Sequence, residues 1–248
     1  MKMGDVLSTT RLRRLTGVTL LGLSALQMVS AQGFSPDYGL IGAPMSNFLS
    51  SSYLTQSVAN ELAEARLDPG HLEGAAQTEG AAQAWVVPLR GESGTAAQLA
   101  AAYPKAQQAT ATAVFEDLLR RYAGIEQQFG LPHGDLAGAL VALLVGSWMA
   151  LQDADFPDDH FLPAVRQMRA LLAAQPGLRE VPVADQRAAY EQMAILGMLM
   201  AGTQMALKTR PDPRVRQRMQ VAARGYLTQF IGQDVERLQF SAQGMSLR

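Results

Sequence analysis

The chain has 248 residues, of which 48% are hydrophobic, 6% are aromatic and 17% are charged, and its formal net charge is −1. An Ala-rich chain with few aromatic residues favours closely packed helices over a sheet, in which β-branched and aromatic residues are commoner. The chain contains no cysteine, which excludes disulfide bonds, thiolate metal sites and a cysteine nucleophile.

The first 31 residues have the pattern of an export signal peptide. An apolar run from Leu15 to Val29 follows a basic leader, and the small residues Ser30 and Ala31 end it. This order is typical of a cleaved signal, and we place the cut between Ala31 and Gln32. An uncleaved anchor is the alternative, although the apolar run is short for a membrane span.

Removal of the signal peptide would leave a mildly acidic protein in the periplasm or outside the cell. Residues 1–31 contain four basic residues and one acidic residue, so the mature chain would have 17 basic and 21 acidic residues and a formal charge of −4. Nucleic acid is a poor partner for such a chain, because its phosphates require a basic surface.

Residues 32–94 are predicted to form an irregular N-terminal arm, a short helix at Tyr53–Leu67 and a linker. The linker is rich in Gly, Ala, Gln and Glu, and its apolar patch, Trp85–Leu89, is expected to dock on the helices that follow. Isolated aromatic residues in the arm either pack it on the domain or bind a partner. The candidate partner-binding aromatic residues are Phe34, Tyr38, Phe48 and Tyr53.

Residues 95–248 are predicted to form an all-α domain, a bundle of about five main helices around two apolar central helices. The central helices lie at about 135–152 and 184–208, and they must be surrounded by other helices because neither has a continuous polar face. Asp135 is expected to be the N-cap of the first. Their internal glycines, Gly138, Gly146, Gly197 and Gly202, indicate close approach of packed helices.

An amphipathic helix is predicted after Pro104, because its apolar residues recur at steps of three and four. Glu116 with Arg120, and Asp117 with Arg121, are expected to pair on its outer face.

Two more helices and a tail complete the domain. One carries Phe161 and the last starts after Asp212, which is its expected N-cap. Residues 233–248 show no alternating strand pattern that we would assign, and they are expected to fold back over the bundle.

Three short stretches resemble an uncharacterised bacterial family, a domain of unknown function whose members are exported helical proteins. They are AYP at Ala102–Pro104, the apolar helix carrying Trp148, and LQFSAQG at Leu238–Gly244. The resemblance covers roughly residues 95–245 and leaves residues 32–94 outside it. It implies an all-helical domain and an envelope or extracellular setting, and it implies no catalytic or ligand-binding residue.

Acidic residues gather in the loop 153–160, DADFPDDH. Asp155, Asp158, Asp159 and His160 are candidates for a metal site, because oxygen ligands suit a hard cation such as Ca²⁺. The loop lacks the glycine and the glutamate that a calcium-binding hand requires at fixed places. We therefore favour the interpretation that the aspartates end one helix and cap the next, and we predict neither a metal nor a cofactor.

The sequence shows no catalytic arrangement, and we predict that the protein is not an enzyme. His71, His133 and His160 lie in three separate predicted loops, without a HExxH motif or a GxSxG turn. A hydrolase centred on His160 and its neighbouring aspartates is the weakest alternative.

Basic residues concentrate at 208–224, where Arg214 and Arg218 lie one turn apart on the outer side of the last helix. They either form a solvated face or contact an acidic partner or lipid headgroups.

The sequence therefore predicts an exported, non-catalytic helical protein that binds a partner or has a structural role in the cell envelope or outside the cell. A membrane-active protein whose apolar helices insert is the alternative. Residues 136–152 would reach only about 25 Å as a helix, short of a hydrocarbon core of about 30 Å. Neither the partner's identity nor the oligomeric state follows from the sequence.

Overall fold

The computed structural model describes residues 83–175, 180–232 and 234–248. The predicted signal peptide, the predicted arm with its aromatic residues and the predicted helix at Tyr53–Leu67 lie outside these residues. The described helices are α1 (Thr95–Ala100), α2 (Lys105–Gln128), α3 (Leu136–Gln152), α4 (Phe161–Ala173), α5 (Val183–Thr209) and α6 (Pro213–Ile231). This architecture confirms the predicted all-α class and its about five main helices.

Helices α3 and α5 form the centre of the bundle, as their apolar sequences predict. In α3 every residue is buried except Trp148, Leu151 and Gln152. In α5 the residues from Ala189 to Met205 are buried without interruption. Such helices expose no polar face to water, so the other helices must cover them.

The two central helices approach each other closely at Gly146 and Gly197. A Cβ atom built on Gly197 would lie 2.6 Å from the Ala142 carbonyl carbon and 2.7 Å from the amide nitrogen of Leu143. A Cβ atom on Gly146 would overlap the carbonyl oxygen of Gly197. These two glycines therefore confirm the predicted close packing, whereas a Cβ atom on Gly138 would meet Tyr122 and Leu131 instead.

Aspartates begin α3 and α6, as predicted, and another aspartate ends α3. The Asp135 carboxylate accepts hydrogen bonds from the backbone N–H groups of Ala137 and Gly138 at the start of α3, and Asp212 caps α6 in the same way. Asp153 ends α3 in the left-handed region, at φ 51°, a conformation that aspartate tolerates better than most residues.

The prediction that loop aspartates cap the helix after them is wrong for α4. Asp158 and Asp159 lie in a 3₁₀ turn, Asp158–His160, and His160 occupies the N-cap position of α4 without a capping side-chain hydrogen bond. Pro157 precedes the turn and holds an extended conformation.

The outer face of α2 confirms one of its two predicted pairs, Asp117 with Arg121. Asp117 accepts hydrogen bonds from Arg121 at 2.6 Å and from Arg120 at 3.2 Å, and both guanidinium groups lower the pKa of its carboxyl group, Arg121 most strongly. The predicted Glu116–Arg120 pair is therefore wrong, and Glu116 has no side-chain partner among the described residues.

The segment before α1 docks on the bundle through its apolar patch, as expected. Val87 is buried, and its N–H donates to the Gly134 carbonyl at 2.9 Å. The N–H of Leu136 donates to the Trp85 carbonyl at 3.0 Å. This short pairing brings residues 85–93 against α2 and α5.

The C-terminal tail forms a two-stranded antiparallel hairpin, β1 (Leu238–Ser241) and β2 (Gly244–Leu247), which the sequence reading missed. The side chain of Gln167 on α4 bonds both backbone groups of Met245, at 2.6 and 2.9 Å. The Trp148 indole N–H donates to the Leu238 carbonyl at 2.9 Å. The tail does fold back over the bundle, but as strands.

None of the helices in the described ranges combines the length and the apolarity that a membrane crossing requires.

Candidate functional site

Among the residues that the structure describes, three carboxylates are buried, although burial of an unpaired charge is costly. Glu126 is 1% exposed, Asp135 is fully buried and Glu191 is 2% exposed. Each is surrounded by donors from a different part of the chain, and together they determine how the segment 85–93 and helices α2, α4 and α5 meet.

Glu126 accepts three hydrogen bonds near the end of α2. The donors are the Gly134 N–H at 3.0 Å, the Tyr190 hydroxyl at 2.9 Å and Nδ1 of His133 at 2.6 Å. Because a carboxylate only accepts, Nδ1 of His133 carries the hydrogen of this contact.

Asp135 joins two helices in addition to capping α3. Arg169 of α4 donates to its second oxygen through Nε at 3.1 Å and also through Nη2. This charged pair compensates the buried carboxylate and fixes α4 against the start of α3.

Glu191 fixes the segment before α1 to α5. The hydroxyl of Thr95 donates to it at 2.5 Å, Ser93 donates to the same oxygen, and Arg187 donates to the other oxygen at 2.8 Å. Arg187 also donates to the carbonyl oxygens of Arg90 and Gly91, at 2.5 and 3.0 Å.

A cleft of about 360 Å³, hereafter the α2–α5 cleft, lies among these groups. Helix α2 contributes Glu116 and Leu119, the docked segment contributes Leu89, and α5 contributes Tyr190. His133 completes it, with 63% of its side chain exposed.

The sequence reading missed this cleft and both buried glutamates. Glu126 follows Tyr122 by one turn and therefore lies on the apolar stripe of α2, which was the available signal. Glu191 interrupts the apolar stretch of α5 in the same way. Their partners, His133 and Ser93, lie in loops whose positions no helical pattern predicts.

The basic candidates Arg214 and Arg218 lie exposed on α6, one turn apart. Neither side chain forms a hydrogen bond or an ion pair with a described residue. Val221, one turn further along the same face, is 66% exposed. A depression of about 560 Å³ beside it is lined in part by Gln217.

The acidic loop is not assembled as a metal site. Asp155 pairs with Lys208, and the oxygens of Asp153 meet Gln204 at 2.6 Å and Arg216 at 3.9 Å. In the ranges that the structure describes, no three His, Asp or Glu side chains are grouped closely enough to hold a metal ion.

Of the remaining candidate residues of the loop, His160 and Asp159 lie close to each other. Nε2 of His160 lies 3.8 Å from Asp159, and its ring packs edge-on against Phe156. Asp158 lies in the first turn of the 3₁₀ helix. The aromatic candidates Phe34, Tyr38, Phe48 and Tyr53 lie outside the described residues.

Two buried tyrosines beside Glu126 offer a matched test of its hydrogen bonds. Tyr190 donates to Glu126, whereas the buried Tyr122 hydroxyl has no hydrogen-bond partner among the described residues. We expect Tyr190→Phe to lower the free energy of unfolding by about 1–3 kcal/mol, because it leaves a buried carboxylate short of a donor. Tyr122→Phe should leave the free energy of unfolding unchanged or raise it. Urea unfolding at neutral pH measures both variants. Equal losses in the two variants would contradict the assigned network.

Comparison with known proteins finds a family but no characterised relative. No curated protein and no solved structure matches the chain. The family of unknown function DUF6683 matches residues 50–248, which confirms the predicted resemblance to an uncharacterised family. The match starts well before residue 95, so the prediction that all of 32–94 lies outside the family is wrong. The chain belongs to DUF6683, a family of unknown function.

Proposed function

We propose that this protein is exported and acts without catalysis, by binding an acidic protein partner in the cell envelope or outside the cell through the exposed face of α6. This α6 face is defined by Arg214, Gln217, Arg218 and Val221. The export part of the proposal is supported by the N-terminal sequence alone, with its basic leader, apolar run and small residues before Gln32.

The observation that carries the binding proposal is the unequal pairing of basic residues around α6. Lys208, Arg216 and Arg224 each have a carboxylate within ion-pair distance, supplied by Asp155, Asp153 and Glu236. Arg214 and Arg218 have none among the described residues. Two adjacent uncompensated positive charges on an otherwise acidic mature chain favour a negatively charged partner.

The shape and composition of the α6 face agree with a protein contact. Val221 adds an exposed apolar side chain beside the two arginines, and arginine is enriched at protein interfaces where lysine is depleted. A lipid surface is a weaker match, because the face has no lysine and no aromatic residue to lie at headgroup depth.

A photo-crosslinking residue at Gln217, installed in the full-length chain in the producing cell, tests the proposal. We expect it to trap an acidic protein, and we expect Arg214→Glu with Arg218→Glu to abolish the crosslink. In a reconstituted complex the same variant should weaken binding at least tenfold, and added salt should weaken binding of the unaltered chain.

The matched control reverses two exposed basic residues elsewhere, Lys105 on α2 and Arg166 on α4, and should leave crosslinking intact. An undiminished crosslink in the Arg214→Glu, Arg218→Glu variant would overturn the proposal. Charge-dependent binding to vesicles of anionic lipid, with no protein trapped, would replace the protein partner with a membrane surface. For export, the mature protein should begin at Gln32, and an uncut chain retained inside the cell would refute that part.

A further inference from the structure

The α2–α5 cleft has the size and lining of a small-molecule site. Its volume of about 360 Å³ falls in the range of about 300–1,000 Å³ that is usual for ligand pockets. Leu89, Leu119 and Ala123 give it apolar surface, while charged and polar side chains converge on the same space.

Most of the charged groups in the cleft already have partners. Glu191 accepts from Ser93, Thr95 and Arg187, so its bonds hold the wall of the cleft together. Arg187 is further held by two backbone carbonyls. Arg120 donates to Asp117 at 3.2 Å.

One charged acceptor in the cleft remains available. The Glu116 carboxylate is exposed and has no partner among the described residues, because Asp117 takes both neighbouring arginines. His133 also lines the cleft, and its Nδ1 is committed to Glu126 at 2.6 Å.

We propose that the α2–α5 cleft binds a small molecule with a protonated amine next to an apolar group. The ammonium donates hydrogen bonds to the Glu116 carboxylate. The apolar part lies against Leu89, Leu119 and Ala123. An ammonium has three donors and no acceptor, so it matches an unpaired carboxylate better than a neutral or an anionic ligand does. This site is independent of the α6 face.

Three probes that share a phenyl group and a short linker test the charge requirement. They are phenethylamine, phenethyl alcohol and phenylacetate, each titrated into the mature chain by calorimetry and by two-dimensional NMR. We expect the amine to bind at least ten times more tightly than the alcohol, to bind more tightly than phenylacetate, and to shift the ring signals of His133. An absence of amine binding, or binding of phenylacetate as tight as that of the amine, would overturn the proposal.

A matched pair of charge-removing variants tests the location. Glu116→Gln should weaken amine binding about tenfold without changing the unfolding curve, because Glu116 is exposed and unpaired. Glu180→Gln removes the same charge from an exposed position outside the cleft and should leave the affinity unchanged. Equal affinities in Glu116→Gln and Glu180→Gln would overturn the proposal.

Discussion

Replacement of Gly197 by alanine is expected to destabilise the protein by about 3 kcal/mol, the upper part of the usual range for overpacking a core. The added Cβ atom would lie 2.6–2.7 Å from backbone atoms of Ala142 and Leu143. Backbone inside a packed helix cannot rotate away as a side chain can, so α3 and α5 must separate. This cost exceeds the gain of about 1 kcal/mol that alanine brings to a helix interior. Denaturant unfolding measures the loss.

Two other helical glycines provide controls for this variant. A Cβ atom on Gly124 in α2 or on Gly225 in α6 would have no atom within 4 Å. Gly124→Ala and Gly225→Ala should therefore stabilise the protein, by up to about 1 kcal/mol each. If Gly197→Ala stabilises the protein as these controls do, α3 and α5 do not approach each other as described.

Alkaline pH is expected to unfold the protein steeply, because four tyrosines in the described part of the chain are buried. They are Tyr103, Tyr122, Tyr190 and Tyr226. Burial raises the pKa of Tyr103 to about 12 and raises the pKa values of the other three further above the ordinary value. The folded state thus keeps phenolic protons that the unfolded chain releases at about pH 10.

The stability that depends on these protons is complete below about pH 10 and is lost as the pH rises above it. Each tyrosine contributes a slope of about 1.4 kcal/mol per pH unit, so four contribute about 5 kcal/mol per unit until Tyr103 ionises in the folded state. A typical domain stability of about 5–15 kcal/mol would be exhausted within a few pH units.

Circular dichroism and tyrosinate absorbance, followed together from pH 8 to about 12, test this expectation. Loss of helix and ionisation of the buried tyrosines should coincide. Tyr122→Phe should reduce the slope by about 1.4 kcal/mol per pH unit. Full tyrosine ionisation near pH 10 with the helices intact would show that these hydroxyls are accessible in the folded protein.

The central helices could be predicted from the sequence because helices of such apolar composition are stable only when other helices shield them from water. Helix α3 has no charged residue between Asp135 and Asp153, so its surface must be covered on all sides. The caps at Asp135 and Asp212 followed from local hydrogen bonding, which needs no knowledge of the rest of the fold.

The C-terminal hairpin could not be predicted in the same way. Its strands have four residues each, too few for alternation to stand out. Three hydrogen bonds join its backbone to side chains that are distant in the sequence, the Gln167 amide and the Trp148 indole. Such short strands take their conformation from the surface on which they pack.

The α2–α5 cleft was missed for a similar reason. The spacing of Glu116 and Arg120 permits an ion pair, and we predicted one. In the structure Arg120 and Arg121 both pair with Asp117 instead. Glu126 and His133 meet because the chain turns back after α2. Sequence spacing can suggest pairs along one helix, whereas pairs across a turn depend on the geometry of the turn.

Hydrogen–deuterium exchange of the protein, with and without vesicles of anionic lipid, tests most directly the claim that α3 and α5 are a permanently buried pair. Amides of α3 and of Ala189–Met205 should be the slowest to exchange and should open only with global unfolding, in either condition. Rapid exchange of either helix in the folded protein, or a loss of its protection on vesicles while α2 and α6 stay protected, would contradict it.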